Sequence, residues 1–244
     1  MRSQTLRLLL AFGLAWAVAN AAQASESFFA NAEWEPSSNR DGVEVLTWKP
    51  KDLGCTAFQG RGVSAGSVGK SLSLIQDVAR RTVWFPMVSE ARKLAQVSPL
   101  SWTEAWHMDT PIGVSDREVV FQLSINYDPA TKTLVMPYQS VEHAPIFFRD
   151  AREKTGPYTR ARIVAGEFRV RPTQVGVSEG IEVVYRLCFD MGGTVSPWLV
   201  NSFLASYPRR VILGMWKEGA RAEVADNPRV HALFTGKSLL KEFL

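Results

Sequence analysis

Three stretches of this 244-residue chain hold residue types that could do chemistry. Gly62-Val63-Ser64-Ala65-Gly66 has the spacing of a nucleophile elbow, a sharp turn that presents a serine hydroxyl to an acid and a histidine later in the chain. Asp226 and His231 follow in that order, but so close together that a triad with Ser64 would be awkward. The elbow also needs a parallel sheet with crossover helices, and the strands after Pro86 lack them. A small-residue turn is the simpler reading. Gly69-Lys70-Ser71 copies the end of a phosphate-binding loop, yet that loop's first glycine would have to replace Ser64. Without it the cradle of backbone N–H groups is lost. The third stretch runs from Glu104 through His107 and Asp109 to Asp116, and Glu104, His107 and Asp109 are the acid/base candidates of an enzyme reading. Asp109 and Asp116 flank a turn with Pro111 and Gly113 and read as turn-capping acids.

Nothing asks for a metal or a cofactor. His107, His143 and His231 show no ligand spacing, and Cys55 and Cys188 stand far apart with no CxxC pair. A disulfide between them is permitted in an oxidising compartment, though sequence does not bring them together. Cys188 also fits a half-buried strand position as a small hydrophobe.

The compartment is set by the first residues. Arg2 and Arg7 precede and adjoin the apolar run Leu8 to Ala19, and Ala22-Gln23-Ala24 offers a small-x-small cleavage site. Residues 1–24 therefore read as a secretory signal peptide, with a periplasmic or secreted product. The net charge of +4 falls to +2 without those two arginines. Arg160, Arg162, Arg169 and Arg171 lie at strand spacing without interleaved aromatics, a solvated strand face rather than a nucleic-acid footprint. The remainder suits one domain, read as residues 25–219 with an amphipathic tail over 220–244, and a monomer.

The elements around these residues follow from periodicity. Glu33 to Asn39 reads as irregular or as a short helix. Gly42 to Trp48 and Cys55 to Ala65 read as strands, and Ser71 to Phe85 as a helix carrying Leu72, Leu74, Ile75, Val78 and Val83. A run of strands follows over 91–97, 103–110, 117–127, 133–141 and 161–171. The last is Gly180 to Asp190, where Ile181, Val183, Tyr185, Leu187 and Phe189 alternate with Glu182, Arg186 and Asp190. Gly192-Gly193 turns the chain, and Ser196-Pro197 starts a helix ending at Gly219. Its stripe is Leu199, Phe203, Tyr207, Val211 and Met215. Such an order is α+β: an antiparallel meander with segregated helices, closed by the last one as a lid. One parity on each strand would line the interior: Val119, Phe121, Leu123 and Ile125, then Phe168 and Val170, then Val183, Tyr185 and Leu187. Trp198, Leu199, Phe203, Leu204 and Tyr207 would form the roof, and Glu104, His107 and Arg117 are its polar candidates. Arg117 is expected to anchor its turn through Asp116 or backbone carbonyls.

Three motifs in order then resemble a known family. Asp41-Gly42-Val43-Glu44-Val45 is similar to the opening strand of StAR-related lipid-transfer (START) domains. Thr110 to Glu118 resembles their Pro-x-x-Ser-x-Arg-(Asp/Glu) turn. Tyr185 to Asp190, Gly192-Gly193, Pro197 to Asn201 and Pro208 resemble their last strand, turn and C-terminal helix. The resemblance implies a helix-grip fold and a non-enzymatic function, binding a lipid or sterol-like ligand in an internal cavity, with transient membrane contact. One departure is Leu123, where several members carry an arginine six residues beyond the motif arginine, and it favours a more apolar ligand. A helix-grip enzyme acting on a small cyclic substrate, or a hydrolase using Ser64, is the alternative function.

Overall fold

The computed structural model describes residues 25–51, 53–110, 114–142, 144–145, 148, 159–195 and 197–234, without the side chains of 197–205, 231 and 234. The signal segment, Pro111 to Gly113, His143, Ser196 and the tail beyond Phe234 lie outside the described residues. A helical turn, α1, spans 25–30. The strands are β1 (Glu35–Arg40), β2 (Val43–Trp48), β3 (Thr56–Ala65), β4 (Val88–Ser98), β5 (Ser101–Met108), β6 (Arg117–Ser124), β7 (Asn126–Asp128), β8 (Thr133–Ser140), β9 (Thr159–Arg160), β10 (Arg162–Val175) and β11 (Ser178–Asp190). The helices are α2 (Val68–Gln76), α3 (Arg81–Trp84), α4 (Pro197–Gly219) and α5 (Pro228–Phe234), with a 3-10 turn over Val78–Arg80.

All strands join one sheet in the order β1-β2-β3-β11-β10-β8-β6-β5-β4, antiparallel throughout this path. Among the described strands only the short β9 pairs in parallel, with β6. The alternating strands form because their apolar parity buries on one face: Val119, Phe121 and Leu123 of β6, Phe168 and Val170 of β10, and Val183, Tyr185 and Leu187 of β11 share one core. Ile125 joins that core just past the end of β6, where the strand breaks before β7.

Helix α4 lies against β1, β2, β3 and β11, with α2 and α3 on its flank. Two glycines of β3 permit the approach. A Cβ on Gly60 would stand 2.9 Å from Ile212 Cδ1, and one on Gly62 would stand 2.6 Å from the Trp216 ring. On the other side a Cβ on Gly214 would lie 2.3 Å from the Trp84 carbonyl oxygen. Tyr207, Val211, Ile212 and Met215 are buried along this contact, each contributing about 1.5–3 kcal/mol of apolar burial. Among the described helices, none is long and apolar enough to cross a membrane.

Several expectations need correction. Residues 35–40 form a strand rather than an irregular start, held by backbone pairing to β2 across a bulge at Pro36/Ser38. The helix expected over 71–85 begins earlier, where Ser67 Oγ accepts from Gly69 N at 3.0 Å and Lys70 N at 3.4 Å. It stops at Asp77, whose carboxylate caps the next turn by accepting from Arg80 N at 3.2 Å. Val83 is consequently exposed. The segment past Gly219 packs back as its amphipathic pattern allows, since Val224, Val230 and Leu233 belong to the main core.

Candidate functional site

The space between the sheet and α4 is built from aromatic rings. Phe168 stacks on Tyr185 with centroids 4.5 Å apart, Phe85 meets Trp106 at 4.6 Å, and Trp106 meets Phe121 edge-on at 4.8 Å. Phe58 and Tyr207 close the α4 side at 5.8 Å. The rings leave two small hollows among the described residues, each of about 10 Å³. One lies between Met108, Val119, Ile163, Leu187, Phe189 and Tyr207, the other between Ile75, Arg81, Trp84, Phe121, Leu123 and Phe168, with Trp106 and Tyr138 bordering both. Each has room for about one water, against roughly 300–1,000 Å³ for a ligand pocket. A wider hollow of about 510 Å³ opens on the opposite face of the sheet, between Phe28 and the outward residues Gln122, Pro137 and Gln139. It is open to solvent, and its lining mixes Ser25, Ser124, Ser140 and the two glutamines with Tyr138, Val141, Val164 and Ala165, so it lacks the enclosure that the inner face has.

Two polar systems are enclosed with the rings. Tyr138, Tyr185 and Tyr207 place three phenol hydroxyls in this interior, Tyr138 donating to the Arg186 carbonyl at 3.5 Å, and burial holds all three well above the ordinary phenol range. The second is an ion pair. Glu104 Oε1 accepts from Arg81 Nη2 at 2.9 Å and Trp102 Nε1 at 2.6 Å, while Oε2 accepts from Arg81 Nε at 3.2 Å and Trp106 Nε1 at 2.7 Å. Arg81 also donates to the Leu74 carbonyl at 2.8 Å and to that of Ile75. Both charges are fully enclosed and their hydrogen-bonding groups are used, which is what makes a buried pair tolerable. Although Leu123 carries no charge, Arg81 still places a guanidinium beside this interior.

The predicted wall residues Val119, Phe121, Leu123, Ile125, Phe168, Val170, Val183, Tyr185, Leu187 and Tyr207 are all brought together in the core. The side chains of Trp198, Leu199, Phe203 and Leu204 lie outside the described residues. Glu104 faces inward, but His107 does not accompany it: three residues apart on one strand, they point to opposite faces. His107 packs against Phe148 on the outer face, ring centroids 5.9 Å apart. Arg117 anchors its turn as expected, through Met191 O at 3.1 Å, Gly192 O at 3.2 Å and Ser115 O. Gly192 and Gly193 both have φ near +60°, the turn that sends the chain into α4.

Sequence reasoning missed Arg81, Trp84, Phe85, Trp106 and Tyr138. Trp106 shares the parity of Glu104 and Tyr138 that of Met136 and Leu134, so strand parity could have found both. Arg81 and Trp84 sit on a single short helical turn, which has no periodicity to read.

The enzyme-like motifs take structural parts. Ser64 lies within antiparallel β3, paired with Ile181, rather than at an elbow. Asp226 accepts a 2.6 Å hydrogen bond from the cap Ser67, and the Lys70 ammonium donates to the Arg221 carbonyl at 3.3 Å. Cys55 and Cys188 form a disulfide on the outer face, beside Phe28, Trp34 and Trp48.

No protein-family model matches the chain. A Pseudomonas aeruginosa relative, uncharacterized protein PA1579, is 24% identical over 183 residues, covering 75% of this chain and 85% of that one. Among solved structures, a STAR-related lipid transfer protein fragment from Xanthomonas axonopodis matches with a TM-score of 0.62 at 15% identity, covering 77% of this chain and 99% of its own. Human StAR-related lipid transfer protein 5 matches at 0.69 with 14% identity, covering 83% of this chain and 96% of its own. The chain thus has the fold of StAR-related lipid transfer (START) domains, the family its motifs resemble.

Proposed function

We propose that the protein binds a lipid, sterol or other apolar molecule between its sheet and α4, and carries or presents it without chemically altering it. The observation that carries this reading is the enclosed aromatic wall, with the Arg81–Glu104 pair and the three tyrosine hydroxyls as the polar points within it. An apolar ligand gains about 25 cal/mol per Å² removed from water there, less the cost of ordering the chain around it. The present hollows hold about a water each, so entry requires the first half of α4 to move and rings to withdraw. Gly192-Gly193 supplies a hinge, and Pro208 inside α4 has no N–H for the carbonyl of Leu204, which loosens the helix there. Polar ends fit beside Tyr138 or Arg81, apolar bodies along β6, β10 and β11.

The likeness to lipid transfer folds supports this class of ligand, and the signal segment together with the Cys55–Cys188 bridge supports a periplasmic or secreted site. In this reading the protein is a monomer that touches membranes transiently to load and unload. Native mass spectrometry of protein purified from its own host should show a bound lipid or sterol, and the empty protein should take up fluorescent analogues with saturation. A chain that is always empty and takes up none of them would end this reading.

A further inference from the structure

A second cluster lies on the outer face, where the ends of β4 and β5 meet the turn that precedes β6. His107, Asp109 and Asp116 bring one imidazole nitrogen and two carboxylate oxygens within 4.8 Å of one another. Ser89 places a proton on one of the ring nitrogens. Its Oγ stands 2.7 Å from Asp109 Oδ1 and 3.0 Å from His107 Nδ1. A serine hydroxyl has a single proton, and a carboxylate can only accept, so Ser89 donates to Asp109 and accepts from Nδ1–H. In the neutral ring Nε2 then carries the lone pair, and it stands 3.5 Å from Asp116 Oδ2. Asp116 is itself held in place, because its Oδ1 accepts from Thr110 N at 3.0 Å. Two electron-rich atoms facing each other repel unless a positive centre lies between them. Two ligands on one tetrahedral zinc, each at about 2.0–2.2 Å, stand roughly 3.4 Å apart, which is close to the spacing here.

We propose that His107, Asp109 and Asp116 bind one divalent transition-metal ion of the zinc class. Nε2 and Asp116 Oδ2 provide the two preset donors, and the exposed Asp109 swings in as the third, still bonded to Ser89. One nitrogen and two carboxylates, without sulfur, suit zinc or manganese, whereas the imidazole disfavours calcium and magnesium. The Ser89–Nδ1 hydrogen bond orients the imidazole from its far side, as outer partners of metal-bound histidines do. The ion would join the end of β5 to the turn before β6. Arg117, the next residue after Asp116, holds the Met191 and Gly192 carbonyls, so the site lies beside the hinge of α4.

Calorimetric titration of chelator-treated protein with zinc chloride and manganese chloride tests this directly. One ion per chain is expected, with His107→Gln and Asp116→Asn each weakening binding at least tenfold and His231→Ala leaving it unchanged. Asp109 is exposed, so Asp109→Asn keeps the test decisive if the His107 variant fails to fold by circular dichroism; it too should weaken binding at least tenfold. Absence of saturable binding would mean that a proton alone bridges the histidine and the acids, and would overturn the proposal. Binding undiminished in both Asp109→Asn and Asp116→Asn would place the ion elsewhere and overturn it equally.

Discussion

The two faces of the sheet handle charge in opposite ways. On the inner face the ion pair Arg81–Glu104 is sealed among tryptophans, and the other described side chains that bond to it are neutral indoles. On the outer face charges run in ladders across neighbouring strands. Arg61 and Arg171 converge on Glu182, and Arg169 and Arg186 converge on Glu167. Arg61 and Arg171 lie about half in water, and Arg169 and Arg186 are 25% and 23% exposed, so the outer contacts are partly screened, while the inner pair has no solvent to fall back on. The contrast shows where this fold tolerates change: the outer ladders can lose a rung, but the inner pair can only be removed whole.

Breaking the inner pair should therefore have the largest effect. Arg81→Leu leaves the Glu104 carboxylate buried with two indole donors and no counter-charge, and should cost about 3–5 kcal/mol in urea unfolding. The double change Arg81→Leu, Glu104→Gln should recover part of that loss. A single variant as stable as the parent would mean that water reaches Glu104, and the inner face would not be sealed.

Next comes the disulfide on the outer face. Cys55 and Cys188 are separated by 133 residues, so the chain-entropy account gives the bridge about 4–5 kcal/mol, and engineered removals commonly show less. Cys55→Ala with Cys188→Ala should lower the unfolding free energy by about 2–4 kcal/mol while leaving ligand uptake intact, because the bridge lies on the opposite side of the sheet from the rings. Loss of uptake in a folded variant would show that the two faces are coupled.

How much of this was legible varies along the chain for definite reasons. β6 and β11 could be read because each alternates cleanly and buries one parity. β1 could not, since Glu35-Pro36-Ser37-Ser38 has no apolar rhythm and takes its strand form from backbone pairing to β2 at the sheet edge. Glu104 was recognised as an interior acid, but its partner Arg81 is an ordinary surface residue in any one-dimensional pattern. Only the break at Asp77 turns it inward. His107 was assigned to the interior against its own parity, and a strict period of two would have placed it outside. The outer cluster with Asp109 and Asp116 has no sequence spacing to reveal it, because it depends on a strand end meeting a turn. The Cys55–Cys188 pairing was beyond the sequence for the same reason.

The faces should also fail at opposite ends of the pH scale. Burial raises the three interior tyrosines, so their neutral form is favoured in the folded chain. Their stability is fully present below about pH 10 and is lost as pH rises towards the folded values, by up to about 1.4 kcal/mol per pH unit for each tyrosine. Glu182 behaves the other way. Burial pushes it up, but hydrogen bonds from Arg171 and Arg61 outweigh that and hold it below the usual carboxylate range. Its contribution is present above about pH 4.3 and is lost as pH falls through the folded value. Tyr207→Phe should make the alkaline limb of unfolding midpoint against pH shallower, and Glu182→Gln should do the same for the acid limb. If either variant altered the other's limb, the separation of the faces would be wrong.

The smallest effect is expected at the one described ion pair that ties α4 to the β1–β2 turn. Arg209 follows Pro208 directly and donates to Asp41, whose side chain is 57% exposed. An exposed pair of this kind contributes about 0–1 kcal/mol and weakens with salt. That weakness suits a lid: a latch as strong as the inner pair would hold α4 shut against any ligand. Arg209→Gln should therefore leave the unfolding free energy from urea titration within about 1 kcal/mol of the parent and quicken uptake of a fluorescent lipid by no more than about fivefold. In the parent, raising the salt from 0.05 to 0.5 M should reproduce most of that change, and in the variant it should do nothing. A disulfide engineered from the first turns of α4 to the facing strand or loop should have the converse effect, slowing exchange strongly with the fold intact. If the cross-linked protein exchanges lipid at the parent rate, α4 is not the gate, and the latch at Arg209 has nothing to hold.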